Sequence, residues 1–221
     1  MSLFCVCKPL QPALVRGYLL LLLVLSPPLL LAEPRQTVRV GGFDNHPIVF
    51  QNEAGKLQGL AIDVLEQVAR KEGWTLEYRF GAWRDMLAAL ENGDIDLLVG
   101  IAYSVQREEK FDFTSETLIN NWGVLLQGEK QSISSLEQIA GKRVALMRGS
   151  IHSSAFTNTM QRFGFEFIAV PLASYADTLL AVQRGDADAA VVNRVFSLLH
   201  RKMYQTKETG IIFNPVEVRY A

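Results

Sequence analysis

The sequence has few of the residues on which thiol and metal chemistry depend. Its two cysteines, Cys5 and Cys7, lie near the amino terminus, and no cysteine follows them. The three histidines, His46, His152 and His200, are far apart and lack the paired spacing of a zinc site. For the rest of the chain we therefore expect neither disulfides nor a thiol nucleophile, and we expect no bound metal.

Charge bias and catalytic motifs are also missing. The chain has 22 Lys and Arg against 23 Asp and Glu, scattered along its length, so no basic surface for nucleic acid is predicted. It contains neither a glycine-rich phosphate loop nor a nucleophile elbow. Two acidic pairs, Asp94 with Asp96 and Asp186 with Asp188, are interpreted as solvated turns rather than as acid-base catalysts. We expect no catalytic residue and no cofactor, and the protein is predicted not to be an enzyme.

The first 33 residues differ from the rest. Lys8 and Arg16 precede an apolar run at residues 18–25, which is the charged-then-apolar order of an export signal. Cleavage after Ala32 would fit a signal peptide, whereas an uncleaved membrane anchor stays open as the alternative. Residues 1–33 are thus predicted to be a signal peptide or an N-terminal anchor. Either one places the remainder in the periplasm, outside the cytoplasmic membrane.

One sequence unit occurs twice. Residues 83–87 lead to Gly93-Asp94-Ile95-Asp96, and residues 175–179 lead to Gly185-Asp186-Ala187-Asp188. In each copy a predicted helix ends at a glycine, which favours the left-handed helix cap, and a short apolar run follows that predicts a buried strand. Two copies predict two similar α/β lobes. Facing lobes leave a cleft between them, and this arrangement indicates a ligand-binding protein.

The first candidate site residues follow the apolar strand predicted at residues 97–101. Loops at the carboxyl ends of strands carry the ligand sites of α/β proteins. Ala102, Ser104 and Arg107 lie in this loop, and the planar guanidinium of Arg107 can hold a carboxylate with two hydrogen bonds. The alternative is a surface arginine that pairs with a neighbouring acid, Glu108, Glu109 or Asp112.

The second predicted lobe offers further candidates. Ser150 lies between a strand and a helix, where backbone N–H groups suit an anion. Asn193 ends the strand of the second copy and could face the same cleft. Phe43 and Trp122 lie at predicted strand ends, from which their rings could stack on a ligand. The predicted ligand-binding set is Phe43, Ala102, Ser104, Arg107, Trp122, Ser150 and Asn193.

Several phrases resemble the family 3 bacterial extracellular solute-binding proteins from about residue 38 to residue 221. They are residues 100–107 with 111–114, residues 59–64 and residues 141–145. The resemblance implies a type II periplasmic-binding-protein fold, in which two α/β lobes joined by two crossing strands close on a ligand, typically an amino acid.

The resemblance also implies roles for individual residues. Arg107 matches the arginine that holds the ligand's α-carboxylate, Ser104 a hydroxyl beside it, and Ser150 the helix start of the second lobe. Two positions depart from the pattern, because Ala102 replaces a threonine and Asn193 replaces the aspartate that pairs with the α-ammonium. A neutral amide cannot neutralise a desolvated ammonium, so we expect a carboxylate ligand without that group.

Lobe boundaries follow from the predicted crossing strands. Lobe 1 is predicted to comprise residues 37–122 and 214–221, and lobe 2 residues 123–213. Because the sequence stops within the returning strand, we expect a chain truncated before the final segment of lobe 1.

The phrases at residues 83–87, 102–107, 121–123 and 213–216 are most similar to versions of this domain fused to membrane-bound histidine kinases and diguanylate cyclases. This resemblance implies a sensor domain whose closure on a solute is the signal, with a signalling module as partner. Its membrane link would be the N-terminal segment or a missing C-terminal part. One alternative is a free periplasmic receptor for an ABC permease. Another is a dehydratase-type enzyme on the same fold, which needs a carboxylate in the cleft that Asn193 does not supply.

Overall fold

The computed structural model of the chain describes residues 36–221. The predicted signal peptide or anchor at residues 1–33 lies outside the described residues. Over residues 36–221, no helix combines the length and the apolar character that a membrane span requires.

The first half is built on a small parallel sheet with the strand order β4-β1-β5. Its elements are, in chain order, β1 (Thr37–Gly42), β2 (Phe50–Gln51), β3 (Leu57–Gln58), α1 (Leu60–Glu72), β4 (Thr75–Phe80), α2 (Trp83–Glu91) and β5 (Leu97–Leu98). β2 and β3 pair as the predicted hairpin. α1 ends at Gly73, which adopts the left-handed conformation, and buries Ala61, Ile62, Leu65 and Ala69 on one face.

The second half contains a mixed six-stranded sheet with the order β6-β11-β7-β10-β8-β9. Its elements are β6 (Ile101–Ala102), α3 (Val105–Glu108), β7 (Ile119–Gly128), a 3-10 turn (Glu137–Ile139), β8 (Arg143–Met147), α4 (Ile151–Arg162), β9 (Ile168–Leu172), α5 (Tyr175–Arg184), β10 (Ala189–Asn193), α6 (Arg194–His200) and β11 (Thr206–Arg219). Between β7 and β8 the only helical element is this short 3-10 turn.

Two long antiparallel strands, β7 and β11, run side by side through this sheet. Phe213 pairs with Gly123, and a Cβ atom on Gly123 would lie 2.5 Å from the Phe213 ring. Glycine is needed here because the ring packs directly on the neighbouring backbone. The predicted lobe boundaries at 122/123 and 213/214 fall on this pair, and they stay a prediction.

The continuous strand predicted at residues 97–101 is wrong. The chain turns at Gly100, which has φ 68, and so divides the run into β5 and β6. β5 joins the first sheet, whereas β6 pairs with β11 in the second. The turn carries Ala102 and the loop after it to the carboxyl-terminal edge of the first sheet.

The repeated unit has the same ion pair in both halves. In the first, the Arg39 Nε and Nη2 atoms donate to the Asp96 carboxylate at 2.9 and 2.6 Å, and the Arg39 backbone N–H donates at 2.8 Å. In the second, Arg143 holds Asp188 through the same three donors at 3.2, 2.9 and 2.9 Å. The second aspartate of each pair is thus not merely a solvated turn residue, because it fastens the last strand of its unit to the first.

The Asp96→Asn variant is expected to lower the free energy of unfolding at neutral pH. Hydrogen bonds from Arg39 lower the pKa of Asp96 from 3.8 to about 2. A depressed carboxyl pKa stabilises the fold above the unfolded-state pKa, and this stabilisation is lost as the pH falls toward the folded-state value. Urea unfolding should therefore show a gap between wild type and variant that narrows from about pH 5 toward about pH 2. The exposed neighbour Asp94 gives the control, and an equal loss in Asp94→Asn would contradict the assignment.

Candidate ligand-binding cleft

A small cavity of about 40 Å³ lies where strands of both sheets end. Its walls come from residues that follow β1, β6, β8 and β10, the edge at which α/β proteins bind ligands. The lining residues are Phe43, Asn45, Trp83, Gly100, Ala102, Arg107, Asn121, Met147, Ser150, Ile151, His152, Tyr175, Asn193 and Val218.

Arg107 is the charged residue of this lining. Its Nη1 atom donates to the Ala102 carbonyl at 2.7 Å, and its Nη2 atom donates to the Gly149 carbonyl at 3.3 Å. The guanidinium carbon lies 5.0 Å from the centre of the Trp83 ring. Burial lowers the pKa of Arg107 to about 10, so it stays a cation at neutral pH. Among residues 36–221 no carboxylate lies within ion-pair distance of it, so pairing with a neighbouring acid is excluded.

Trp83 links the two halves beside Arg107. Its Nε1 atom donates to the Gly149 carbonyl at 3.1 Å, and its ring lies 4.6 Å from that of Phe43. Gly149 has φ 74, and a Cβ atom there would lie 3.2 Å from Trp83 Nε1. The sequence indicated only that Trp83 packs at its helix start. Its role at the cleft was missed because the contact crosses from the first half to the second.

Three buried asparagines form a chain of hydrogen bonds through the cleft. Asn193 donates to Asn45 Oδ1 at 2.8 Å, and Asn121 donates to Asn193 Oδ1 at 3.0 Å. The same Asn193 oxygen accepts the Phe196 N–H at 2.9 Å and so caps α6. Sequence reasoning found Asn193 but not Asn45 or Asn121. Both were missed because their hydrogen bonds to Asn193 join residues far apart in sequence.

The starts of α4 and α5 add three polar side chains to the site, Ser150 and His152 from α4 and Tyr175 from α5. Ser150 Oγ lies 3.0 Å from the Tyr175 hydroxyl, and burial raises the pKa of Tyr175. His152 Nδ1 lies 3.2 Å from Asn214 Nδ2. Burial and the charge of Arg107 lower the pKa of His152 to about 4, so the ring is neutral at pH 7. Tyr175 and His152 were missed because each reads as an ordinary core residue.

The structure brings together five of the seven predicted residues. Phe43, Ala102, Arg107, Ser150 and Asn193 all line the cavity.

The other two predicted residues, Ser104 and Trp122, do not line the cavity. Ser104 caps α3 by accepting the Arg107 N–H at 3.3 Å. Trp122 lies on β7 against the apolar core. The role of any of the seven in binding stays a prediction.

The site offers donors for an organic anion rather than ligands for a metal. Within the described part of the chain, no three His, Cys, Asp or Glu side chains are arranged to hold an ion. The lining contributes one guanidinium, one imidazole, hydroxyls and amides, and it contains no carboxylate.

Residues 38–205 match the model of the bacterial extracellular solute-binding proteins, family 3. The chain belongs to this family. Its members are extracellular, so the described domain lies outside the cytoplasm. The predicted two-lobe type II fold is confirmed.

Individual relatives agree with this assignment. The amino-acid-binding protein AabA of Dichelobacter nodosus is 28% identical over 162 residues, which are 72% of this chain and 62% of that protein. The match thus spans less than two thirds of the curated relative. A histidine kinase sensor domain with similarity to periplasmic binding proteins superposes with a TM-score of 0.74 at 27% identity, covering 84% of this chain and 82% of that one. An ancestral arginine-binding protein bound to glutamine gives a TM-score of 0.75 at 24% identity, over 86% and 84%, and shows the shared fold.

Replacing Trp83 by phenylalanine should weaken the link between the halves. The variant keeps an aromatic ring under Arg107 but loses the N–H that donates to Gly149. We expect the free energy of unfolding, measured by urea denaturation, to fall by about 1 kcal/mol more than in Trp74→Phe, because a typical net hydrogen bond contributes that amount. Trp74 is the control for the smaller ring alone. Equal losses in the two variants would show that the bond to Gly149 contributes nothing.

Proposed function

We propose that this domain binds a small organic acid without a protonated amine, and that closure of its lobes reports the acid to a membrane-bound signalling protein. The observation that carries the proposal is the charge of the cavity lining. Arg107 is a half-buried cation without a carboxylate partner among the described residues, and none of the lining residues is acidic. A carboxylate ligand would supply the missing negative charge through charge-assisted hydrogen bonds.

The surroundings of Asn193 argue against an ammonium group on the ligand. An amide oxygen has two lone pairs, and those of Asn193 already accept from Asn121 and Phe196. The position that resembles the ammonium-binding aspartate of the family therefore has neither a charge nor a free acceptor. Burying an unpaired ammonium is expensive, so a free amino acid would bind poorly here.

Amino acids are the second candidate, and the relatives favour them. AabA is named as an amino-acid-binding protein, and a structural neighbour was solved with glutamine. The hydroxyls of Ser150 and Tyr175 line the same cavity and have lone pairs. The two candidates differ in one chemical group, the α-ammonium.

The contacts that hold the two predicted lobes together support closure of the lobes as the signal. The Asn193–Asn45 hydrogen bond and the two bonds to the Gly149 carbonyl all join the predicted lobe 1 (residues 37–122) to the predicted lobe 2 (residues 123–213). The cavity they leave has room for a few water molecules only, so a ligand of several atoms enters when these contacts separate. A ligand that bridges both walls would then favour reclosure.

The likeness to a histidine kinase sensor domain supports a sensor, with the N-terminal segment or a part outside this sequence as the membrane link. A free receptor for an ABC permease uses the same cleft and is the alternative. We also propose that the domain is not an enzyme. A dehydratase needs a carboxylate aimed at its substrate, and the cavity lining has none.

The Arg107→Ala variant should lose at least tenfold in affinity for any acid that binds, about 1.4 kcal/mol. The reason is that the Arg107 guanidinium is the positive charge in the cavity lining with which the ligand carboxylate would pair. Isothermal titration calorimetry with two matched pairs, pyruvate against L-alanine and 2-oxoglutarate against L-glutamate, tests both the clamp and the ligand class. The exposed Arg70 provides the control variant, Arg70→Ala.

In each pair we expect the oxo acid to bind more tightly. Unchanged binding in Arg107→Ala would overturn the clamp. Tighter binding of both amino acids would overturn the ligand class.

The Asn193→Asp variant should move the selectivity toward amino acids. It restores a carboxylate where the ligand's ammonium would lie, and the Asn45 amide can turn to donate to it. The affinity ratio of L-glutamate to 2-oxoglutarate is expected to rise at least tenfold in the same calorimetric assay, about 1.4 kcal/mol. The exposed Asn158 on α4 provides the matched control variant, Asn158→Asp. An unchanged ratio would show that position 193 does not face the α-substituent.

A further inference from the structure

His152 lies in the same cavity wall as Arg107 but has no assigned part in binding. It is the second residue of α4, lines the cavity, and is 3% exposed. A buried imidazole beside a guanidinium is unusual, because the two would repel each other if both were charged.

The hydrogen bond from Asn214 fixes the tautomer of this ring. An amide nitrogen only donates, so His152 Nδ1 is the acceptor at 3.2 Å. The proton of the neutral ring is therefore on Nε2. Within residues 36–221, Nε2 has no hydrogen-bond partner, and it is not among the fully buried unpaired atoms. His152 thus presents a free N–H donor in a ring that lines the cavity.

The ring is neutral in the free protein for three reasons. Burial removes the water that would solvate an imidazolium, and the Arg107 charge opposes a second cation. The N-terminal end of α4 carries a positive partial charge that acts in the same direction. Together they keep the pKa of His152 near 4, well below its ordinary value of 6.5.

A ligand carboxylate in this cavity would favour the protonated form of His152. Its negative charge would screen Arg107 and attract a proton to His152, so the pKa of His152 would rise when the ligand binds. Because the bound form would then hold the proton more readily than the free form, affinity increases as the pH falls through the bound-state pKa. The gain levels off below about 4, the pKa of the free form.

The other ionisable groups of the lining do not titrate in this range. They are Arg107 on α3, which stays charged up to about pH 10, and Tyr175 on α5, whose pKa is raised by burial. β11 contributes the neutral Asn214. His46 and His200 face each other at a ring distance of 5.3 Å but do not line this cavity.

We infer that His152 is a second anion-contacting residue of the cleft and takes up a proton when an acidic ligand binds. The inference rests on the proposed function, because it requires a carboxylate held by Arg107. It also defines a specificity, because the cleft would prefer acids whose negative charge contacts both Arg107 and His152, as that of a small dicarboxylate does. Such acids would bind more tightly at mildly acidic pH.

The test is calorimetric titration of the full chain with 2-oxoglutarate and with pyruvate at pH 7.5 and 5.5, in buffers of different ionisation enthalpy. If binding restores the pKa of His152 to about 6.5, the affinity for 2-oxoglutarate rises about tenfold between the two pH values with net proton uptake. The His152→Gln variant keeps a donor but cannot titrate. It should lose the pH dependence, so its affinities for 2-oxoglutarate at pH 7.5 and 5.5 should agree within about twofold.

Each of the other possible results overturns either this inference alone or the proposed function as well. A pH dependence that persists in His152→Gln overturns the inference, since the proton would then belong to another group such as His46 or His200. Binding that needs Arg107 but takes up no proton overturns it and leaves the proposed function standing. If neither acid binds, the proposed function fails and this inference fails with it. Nitrogen NMR of the free protein gives a ligand-independent arm, in which a proton on Nδ1 instead of Nε2 at pH 7.5 also overturns the inference.

Discussion

The site depends on one uncompensated charge. Arg107 is held between the carbonyls of Ala102 and Gly149 and over the ring of Trp83, and among the described residues no anion balances it. Carbonyl dipoles and an aromatic face stabilise a cation without neutralising it. In the proposed function a ligand carboxylate supplies the missing negative charge, so the charge of Arg107 would favour acids as the ligand class.

The same residues also couple binding to shape. Gly149 belongs to the predicted lobe 2, whereas Trp83 and Arg107 belong to the predicted lobe 1, so both donors to its carbonyl join the two predicted lobes. Asn193 does the same from β10 through its bond to Asn45. A ligand that competes for Arg107 alters these contacts directly. The side chains that would recognise the ligand therefore also hold the cleft closed. In the proposed function, binding of the ligand would change the balance between the open and closed arrangements of the lobes directly.

Periodicity and local motifs predicted the architecture because its helices, strands and turns depend on residues that are close together in sequence. The helix-glycine-strand units, the hairpin and the loop that carries Arg107 all depend on neighbours in sequence. The turn at Gly100 was missed because an apolar run does not reveal whether the glycine within it bends the chain. Trp83, Tyr175 and His152 were missed because their site contacts join residues far apart in sequence. Asn193 was found by its place at a strand end, but its full set of hydrogen bonds was not predictable.

The most direct test of Arg107 as the cation that holds the ligand is a crystal structure of the protein with a bound acid. The account predicts a ligand carboxylate oxygen within about 3 Å of an Arg107 guanidinium nitrogen, with no protonated amine buried against Asn193. A ligand bound elsewhere, with Arg107 still engaged only by the two backbone carbonyls, would contradict it.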